Sequence, residues 1–523
     1  MDRLFSKSVD TRRGRGLIAA VSVGAFVCLA QFVFHRATDL SIEPFFDEMW
    51  RIDGIFSPGG IRRVLDNAAP LSPAWLYGSR IVGWVSESFT VLRSSNLLLA
   101  ALGAALCSLA ISNERRDGAH HVRACVVGVA VLSTSLVFNV SAYFNNYGWE
   151  IFVVGVVLML GLRESACLHH VALVPVALIA GLTLQGGLPF VASYLLVRFL
   201  ASWSRTDMWT ARMVAAMPVV ALGAGSVVNL AWANGVQQAD RRGDLTSFWG
   251  AEAFRIDHLG SSLRLLYRTA GEGFTPQWMD TAGATRHYAV LLVGVAALGG
   301  ALKFRAGILR IVAATALAIP ILAGASVVTA GPFAVNRLTV AGFVPLLCIA
   351  FDSVVIFVER ALSRVRTHRV VQLIVVGSLL IALATWGTLN TRTANDSPAV
   401  FARGLLEDVR QVDLQTTSVT GEEPGARLWV VYHPMSHWYV RHALRTSGSP
   451  DRIVHETWDS QDLYTLTRLR RLTGKFEAVV CVVPYEVGPE GSARACPMSE
   501  KFALVETVRL TRAEFRTFVH LDN

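Results

Sequence analysis

The sequence predicts a polytopic α-helical membrane protein with about eleven transmembrane helices and a C-terminal extracytoplasmic domain of α/β or α+β type. Three observations carry this. Hydrophobic residues make up 53% of the 523 and charged residues only 17%, where a soluble chain carries about a quarter charged. Mean hydropathy is +0.44, and the apolar residues gather into long segments. Basic residues collect in alternate loops between those segments, as the positive-inside rule requires.

In chain order, Arg3, Lys7, Arg12, Arg13 and Arg15 precede an apolar run over 16–35. No small-x-small cleavage site follows it, so it reads as a first span with its N-terminus in the cytoplasm rather than as a signal peptide. An external loop covers 36–90. Pro70 and Pro73 break it before Ala74–Val85, an amphipathic stretch rich in Trp and Tyr that suits the bilayer surface. Further apolar segments lie at 91–111, 124–142, 150–162, 170–184, 188–201, 213–232, 287–302, 307–328, 338–358 and 370–389.

Loops assigned to the cytoplasm hold Arg115, Arg116 and Arg123, then Arg163, Arg205, Arg212, Lys303, Arg305, Arg360, Arg364, Arg366 and Arg369. The short loops assigned outside, 143–149 and 185–187, hold no basic residue, and 329–337 holds only Arg337. Residues 1–389 thus read as the membrane domain, with long external loops at 36–90 and 233–286, the second helical at Ser261–Thr269. Residues 390–523 read as a separate external domain. Its pattern predicts strands at Arg427–His433, Arg452–Thr457, Phe476–Pro484, Ala503–Leu510 and Phe515–His520, with helices at His437–Leu444 and Leu463–Leu472.

The net charge of +9 does not indicate nucleic acid, because the arginines that produce it flank apolar segments. No phosphate loop, dinucleotide fingerprint or zinc-type spacing is present. Cys28, Cys107, Cys125, Cys167 and Cys348 lie in or beside apolar segments and read as packing residues. Cys481 and Cys496 are candidates for a disulfide in an exported domain, with a pair of free thiols as the alternative.

The candidate active site is Pro44-Phe45-Phe46-Asp47-Glu48-Met49-Trp50. Adjacent carboxylates stand among aromatic residues where the chain leaves the first span. A carboxylate held against rings is partly desolvated and suited to taking a proton. Taken alone, the two acids could equally be solvated or cap a following helix. Arg62 and Arg63, and Arg337, are candidates for binding a lipid phosphate, since a guanidinium presents a planar fork to phosphate oxygens; interfacial anchoring explains them as well. Asn145, Asn146, Tyr147 and Trp149 form a second polar-aromatic stretch outside and, with His258, are candidates for sugar or acceptor contact. Asp352 lies within an apolar segment, where an acid is a functional flag, but Arg310 at similar depth makes a structural ion pair the plainer reading.

Phe46-Asp47-Glu48-Met49-Trp50-Arg51-Ile52, the Arg93-Ser94-Ser95-Asn96-Leu97 entry to the second span, and Arg337-Leu338-Thr339-Val340 followed by Pro345 resemble features of the polyprenyl-phosphate-sugar-dependent GT-C glycosyltransferases. That superfamily includes protein mannosyltransferases, aminoarabinose transferases and arabinofuranosyltransferases. The resemblance covers residues 1–390 and lies in layout more than in identity. It implies a GT-C-like fold and transfer of a sugar from a polyprenyl-phosphate donor to an envelope glycan, lipid or protein, with Asp47 as base. Arabinofuranose or mannose is the sugar it suggests, and the bacterial plasma membrane the place. Where the family often carries an Arg-x-Tyr motif, this chain has Asn145-Asn146-Tyr147. The sequence assigns no cofactor; a divalent cation held by the loop acids is compatible with it. A lipid-linked glycan ligase or polymerase using His258, Arg264 and Arg268, or a flippase with no covalent chemistry, are the competing readings.

Overall fold

A computed structural model of the protein describes residues 21–32, 55, 73–85, 89–114, 120–142, 145–162, 167–204, 209–236, 253–275, much of 287–297, 306–329, 333–336, 338–362, 398–420, 427–431, 440, 443–444, 453–456, 478–485 and 502–521. Asp47, Glu48, Arg62, Arg63, Arg337, Cys496 and the apolar segment 370–389 lie outside the described residues. The chain divides into two units, Met1–Leu40 with Pro58–Thr393 and Ser41–Ser57 with Ala394–Asn523.

In the first unit the apolar segments form helices, as chains must where no water can satisfy the backbone. They are α1 (Val21–Phe32), α2 (Pro73–Val85), α3 (Phe89–Asn113), α4 (His120–Leu132), α5 (Ser135–Ala142), α6 (Tyr147–Gly161), α7 (Cys167–Thr183), α8 (Leu188–Trp203), α9 (Trp209–Val236), α10 (Leu259–Phe274), α11 (Ala306–Thr329) and α12 (Val340–Leu362). Four of them contain stretches long and apolar enough to cross a membrane: Val91–Asn113, Trp209–Ala231, Ala306–Val327 and Val340–Arg360. The other apolar helices, among them α1, α4, α6 and α8, are shorter.

The segment expected as a single span over 124–142 is instead two helices, α4 and α5. Between them the hydroxyls of Ser133 and Thr134 donate to the carbonyls of Ala130 and Val131, each at 2.7 Å. Such local bonds compete with the helical ladder and favour a break. Arg123 is also not a loop residue. It lies inside α4, fully buried, with Nε 3.5 Å from Glu359 Oε1 and 4.0 Å from Asp352 Oδ1. Ser112 Oγ donates to the same Asp352 oxygen at 3.2 Å. The start of α4 and the last turns of α12 therefore meet at one depth, and Arg123 is a cation beside Asp352. Nearby, Arg198 of α8 donates through Nε to the carbonyl of Gly161 at 3.0 Å, meeting an end of α6 that has no partner within its own helix.

Small residues let the helices approach closely. A Cβ at Gly103 of α3 would stand 2.5 Å from the carbonyl carbon of Ile151 in α6, and one at Gly155 would stand 2.6 Å from Gly103 O. Gly181 of α7 and Gly225 of α9 press in the same way on the carbonyls of Leu222 and Leu178.

The second unit pairs helix α13 (Pro398–Thr420) with strands β1 (Arg427–Val431), β2 (Ile453–Glu456), β3 (Ala478–Pro484), β4 (Phe502–Arg509) and β5 (Ala513–His520). The strand order is β2-β1-β3-β5-β4. β1 lies parallel to both β2 and β3, and β5 runs antiparallel to β3 and β4. Alternation explains the two apolar layers: Trp429, Val431, Val480 and Val482 face Leu405, Leu406 and Val409 of α13, while Leu428, Val430 and Val479 meet Phe502 and Phe518 on the other side. Central strands covered on both faces read as continuous apolar runs. Cys481, buried in β3, is disulfide-bonded. Asp408 of α13 accepts from the backbone N–H groups of Thr511 (3.3 Å) and Arg512 (2.7 Å), fastening the helix to the β4–β5 turn.

Glu514 of β5 accepts from Arg516 Nε at 2.6 Å and from its cross-strand neighbour Arg509 Nε at 3.0 Å. Burial pushes its carboxyl upward, but the two guanidinium groups outweigh burial and hold it below the ordinary value. A carboxyl lowered in the folded state stabilises the fold above its unfolded value, 4.5, and loses that contribution as pH falls through the folded value. Glu514→Gln should therefore lower stability by about 1 kcal/mol at neutral pH. The gap in melting temperature from the native protein should close as pH is lowered through that window; a gap independent of pH would contradict the assignment.

Two alanine substitutions test the glycine contacts. Gly103→Ala adds a Cβ against backbone that cannot give way and should cost about 2 kcal/mol. Gly223→Ala, with open space around its Cβ, should be neutral or mildly stabilising. Melting of both variants in detergent decides between them.

Candidate functional site

At one end of the helix bundle, the described parts of three connections come together: residues 145–146 before α6, 184–187 before α8, and 333–336 with 338–339 before α12. The residue that joins the first two is Glu150. It lies in the first turn of α6 and is 1% exposed. Oε1 accepts from Asn146 Nδ2 at 2.9 Å and from the Gln185 N–H at 3.3 Å. Oε2 accepts from the Gly187 N–H at 2.8 Å. Gly187 is the N-cap residue of α8, so the carboxylate meets the positive end of that helix and satisfies donors that have no partner within it. An unpaired buried carboxylate would be costly. Here it is surrounded by donors.

The third connection is locked by its own side chains. Asn336 Oδ1 accepts from the Leu338 N–H at 2.9 Å, and Thr339 Oγ1 donates to Ala334 O at 2.7 Å while accepting from the Asn336 N–H at 3.1 Å. Gly186 packs directly on the Leu338 carbonyl, where any Cβ would collide. Only glycine permits this approach of two loops. Asn96 of α3 completes the assembly. Its Nδ2 lies 3.4 Å from Val140 O and 3.5 Å from Ser141 O, and its side chain fills the space above Gly148. Thr269 of α10 accepts from the Val335 N–H at 2.9 Å and ties that helix to the same end.

Of the residues proposed for sugar or acceptor contact, Asn145 turns inward. Its Nδ2 donates to Val140 O at 3.2 Å and its Oδ1 accepts from the Tyr147 N–H at 2.8 Å. Asn145, Asn146 and Tyr147 are all buried. Trp149 is partly exposed. Asn146 Oδ1 and Trp149 Nε1 have no hydrogen-bond partner among the described residues. His258 stands apart at the start of α10, exposed, with Nε2 3.6 Å from Asp257 Oδ2; no contact joins it to residues 145–150 among the described residues. Sequence reading passed over Glu150. The available signal was an acid at the head of an apolar segment.

Beside the loops lies a small open cleft lined by Gly186 and Phe190, by Thr315 and Ile319 of α11, by Thr339, and by Phe343 of α12. Its walls are mostly apolar, and its upper edge is formed by the residues through which the loops meet. Among the described residues no three His, Cys, Asp or Glu side chains come together.

No protein-family model and no curated protein sequence matches the chain. Solved structures do. ArnT from Cupriavidus metallidurans in the apo state superposes with a TM-score of 0.50 at 12% identity, covering 96% of this chain and 98% of that one. The same protein bound to undecaprenyl phosphate gives a TM-score of 0.44 at 15% identity over 94% and 97%. The Archaeoglobus fulgidus oligosaccharyltransferase in complex with Zn and sulfate gives 0.44 at 11% over 94% and 72%. The likeness to apo ArnT runs through nearly the whole of both chains, and this protein thus resembles in fold the glycosyltransferases of the GT-C superfamily.

Proposed function

We propose that the protein is a membrane glycosyltransferase that moves a sugar from a polyprenyl-phosphate donor to an envelope glycan, lipid or protein on the outer face of a bacterial plasma membrane. One observation carries this reading: three loops fastened to one another stand over an apolar cleft at one end of a bundle with the GT-C fold. A lipid-linked sugar needs such a place, with apolar walls for its chain and a polar rim for its head group. Fold alone does not assign chemistry, so the roles rest on the residues.

Asp47 takes the proton of the acceptor hydroxyl as that oxygen attacks the anomeric carbon. The bond from that carbon to the phosphate oxygen breaks, and the lipid phosphate leaves with the electron pair. A single displacement of this kind inverts the anomeric centre. Glu48 orients the acceptor or helps to hold a divalent cation. Arg337, with Arg62 and Arg63, offsets the charge of the departing phosphate. Trp149, partly exposed, is the residue of this stretch placed to stack on a sugar ring. Arabinofuranose and mannose are the sugars to try first. The N-terminus would lie in the cytoplasm and residues 390–523 outside. A disulfide between Cys481 and Cys496 belongs to this reading.

The test is transfer of label from polyprenyl-phosphate arabinose and polyprenyl-phosphate mannose in membranes holding the native protein or its variants. Asp47→Asn should reduce transfer by at least about a hundredfold without lowering the melting temperature, and Arg337→Ala should weaken it. Glu150→Ala should lower both transfer and stability, the latter by about 2 kcal/mol, because backbone donors lose their acceptor. Transfer by Asp47→Asn at the native rate would overturn the assigned base.

A further inference from the structure

Helix α10 has three faces, not two. Ser262 and Gly273 are buried against the rest of the unit, with Gly273 resting on Leu136, and Ala270 and Phe274 are buried at the C-terminal end of the helix. Leu259, Leu263 and Tyr267 follow one another at every fourth position and are 47%, 48% and 37% exposed. Ile256, just before the helix, is 83% exposed. Arg264 and Arg268 form the next stripe around the axis, both exposed, and Arg268 Nε lies 4.0 Å from Glu272 on the same helix. A helix packed on a core normally turns polar residues outward from its flanks. This one sets an apolar seam between its buried face and its arginines.

The level of the helix in the fold gives the seam its meaning. Thr269 bonds to Val335 in the connection between α11 and α12, and Phe254 bonds through its N–H to Ser326 Oγ near the end of α11 at 2.9 Å. Both α11 and α12 contain stretches long and apolar enough to cross a membrane, so α10 lies where such helices leave the hydrocarbon. We propose that α10 is a membrane-surface helix whose Ile256, Leu259, Leu263 and Tyr267 enter the acyl boundary of the bilayer while Arg264 and Arg268 bind the phosphates of anionic headgroups. An apolar seam edged by guanidinium groups is complementary to a bilayer rim, where hydrocarbon meets negative charge. Tyr267, whose hydroxyl lies 3.0 Å from His287 Nδ1, has the amphipathic ring favoured at that depth. The inference rests on placement and charge and is independent of the transfer chemistry.

The experiment uses the full chain in nanodiscs, carrying a fluorescent amino acid at position 263 or, separately, at 264. The label at 263 should be quenched by lipids spin-labelled near the headgroup and shielded from aqueous iodide, and the label at 264 should be reached by iodide. Equal iodide access at both positions would overturn the proposal. The second arm compares spin-labelled phosphatidylglycerol with spin-labelled phosphatidylcholine at position 263. The native protein should favour the anionic lipid about fivefold, and Arg264→Gln with Arg268→Gln should bring the ratio close to one. A native ratio of one would remove the headgroup assignment. Melting of each protein confirms that the fold is kept.

Discussion

The loop end of the bundle depends on the pairing of one carboxylate with backbone donors. A helix that begins inside an apolar structure leaves N–H groups without partners, and in a bilayer no water reaches them. At α8 the protein supplies Glu150, which stands on the neighbouring helix α6 and accepts from Gly187 and Gln185. The same contact satisfies the charge and joins the connection before α6 to the connection before α8. Gly186 can then rest on the Leu338 carbonyl, so the connection before α12 is held by shape where the first two are held by charge. One carboxyl group, satisfied locally by Asn146, Gln185 and Gly187, thereby anchors the loop end of the bundle.

The other end of the same helices uses charge differently. Arg123, Asp352 and Glu359 are drawn together from α4 and α12 inside the bundle, and Arg198 meets the carbonyl end of α6. These groups complement one another or helix termini, as buried charges must. Between the two ends, packing relies on small residues and shape. Gly103 and Gly155 bring α3 and α6 into backbone contact, as Gly181 and Gly225 do for α7 and α9. A framework fastened by polar groups at both ends and closely packed between them holds the loops in one arrangement.

Much of this was legible in the sequence, because hydropathy and alternation report burial directly. Strand β3, at Ala478–Pro484, lies within the apolar run expected at Phe476–Pro484, and α10 at Leu259–Phe274 contains the helical stretch Ser261–Thr269. The break at Ser133-Thr134 was hidden, since both residues sit in a run apolar enough to hide a pair of hydroxyls. Arg123 was misplaced for a related reason: a basic residue next to an apolar segment reads as a flank, and only its pairing with Asp352 and Glu359 allows it inside. Glu150 was missed because its partners are backbone groups of another loop, and backbone donors leave no mark in a sequence. The role of Asn145 in the loop was hidden for the same reason. Its amide serves the loop, bonding Val140 and Tyr147.

That spending of polar groups narrows what the loop stretch can offer a substrate. Asn145 has both ends of its amide engaged, Asn146 gives its Nδ2 to Glu150, and Tyr147 is buried. Among the described residues of this stretch the polar atoms left over, Asn146 Oδ1 and Trp149 Nε1, are buried, and neither carries charge for a phosphate. In the proposed reaction the phosphate must then be met elsewhere, and the connection before α12 is the neighbouring place with a basic residue in it. The stretch Asn145-Asn146-Tyr147 contains no arginine, and this fits the proposal that Arg337 meets the phosphate while the loop before α6 holds its neighbours.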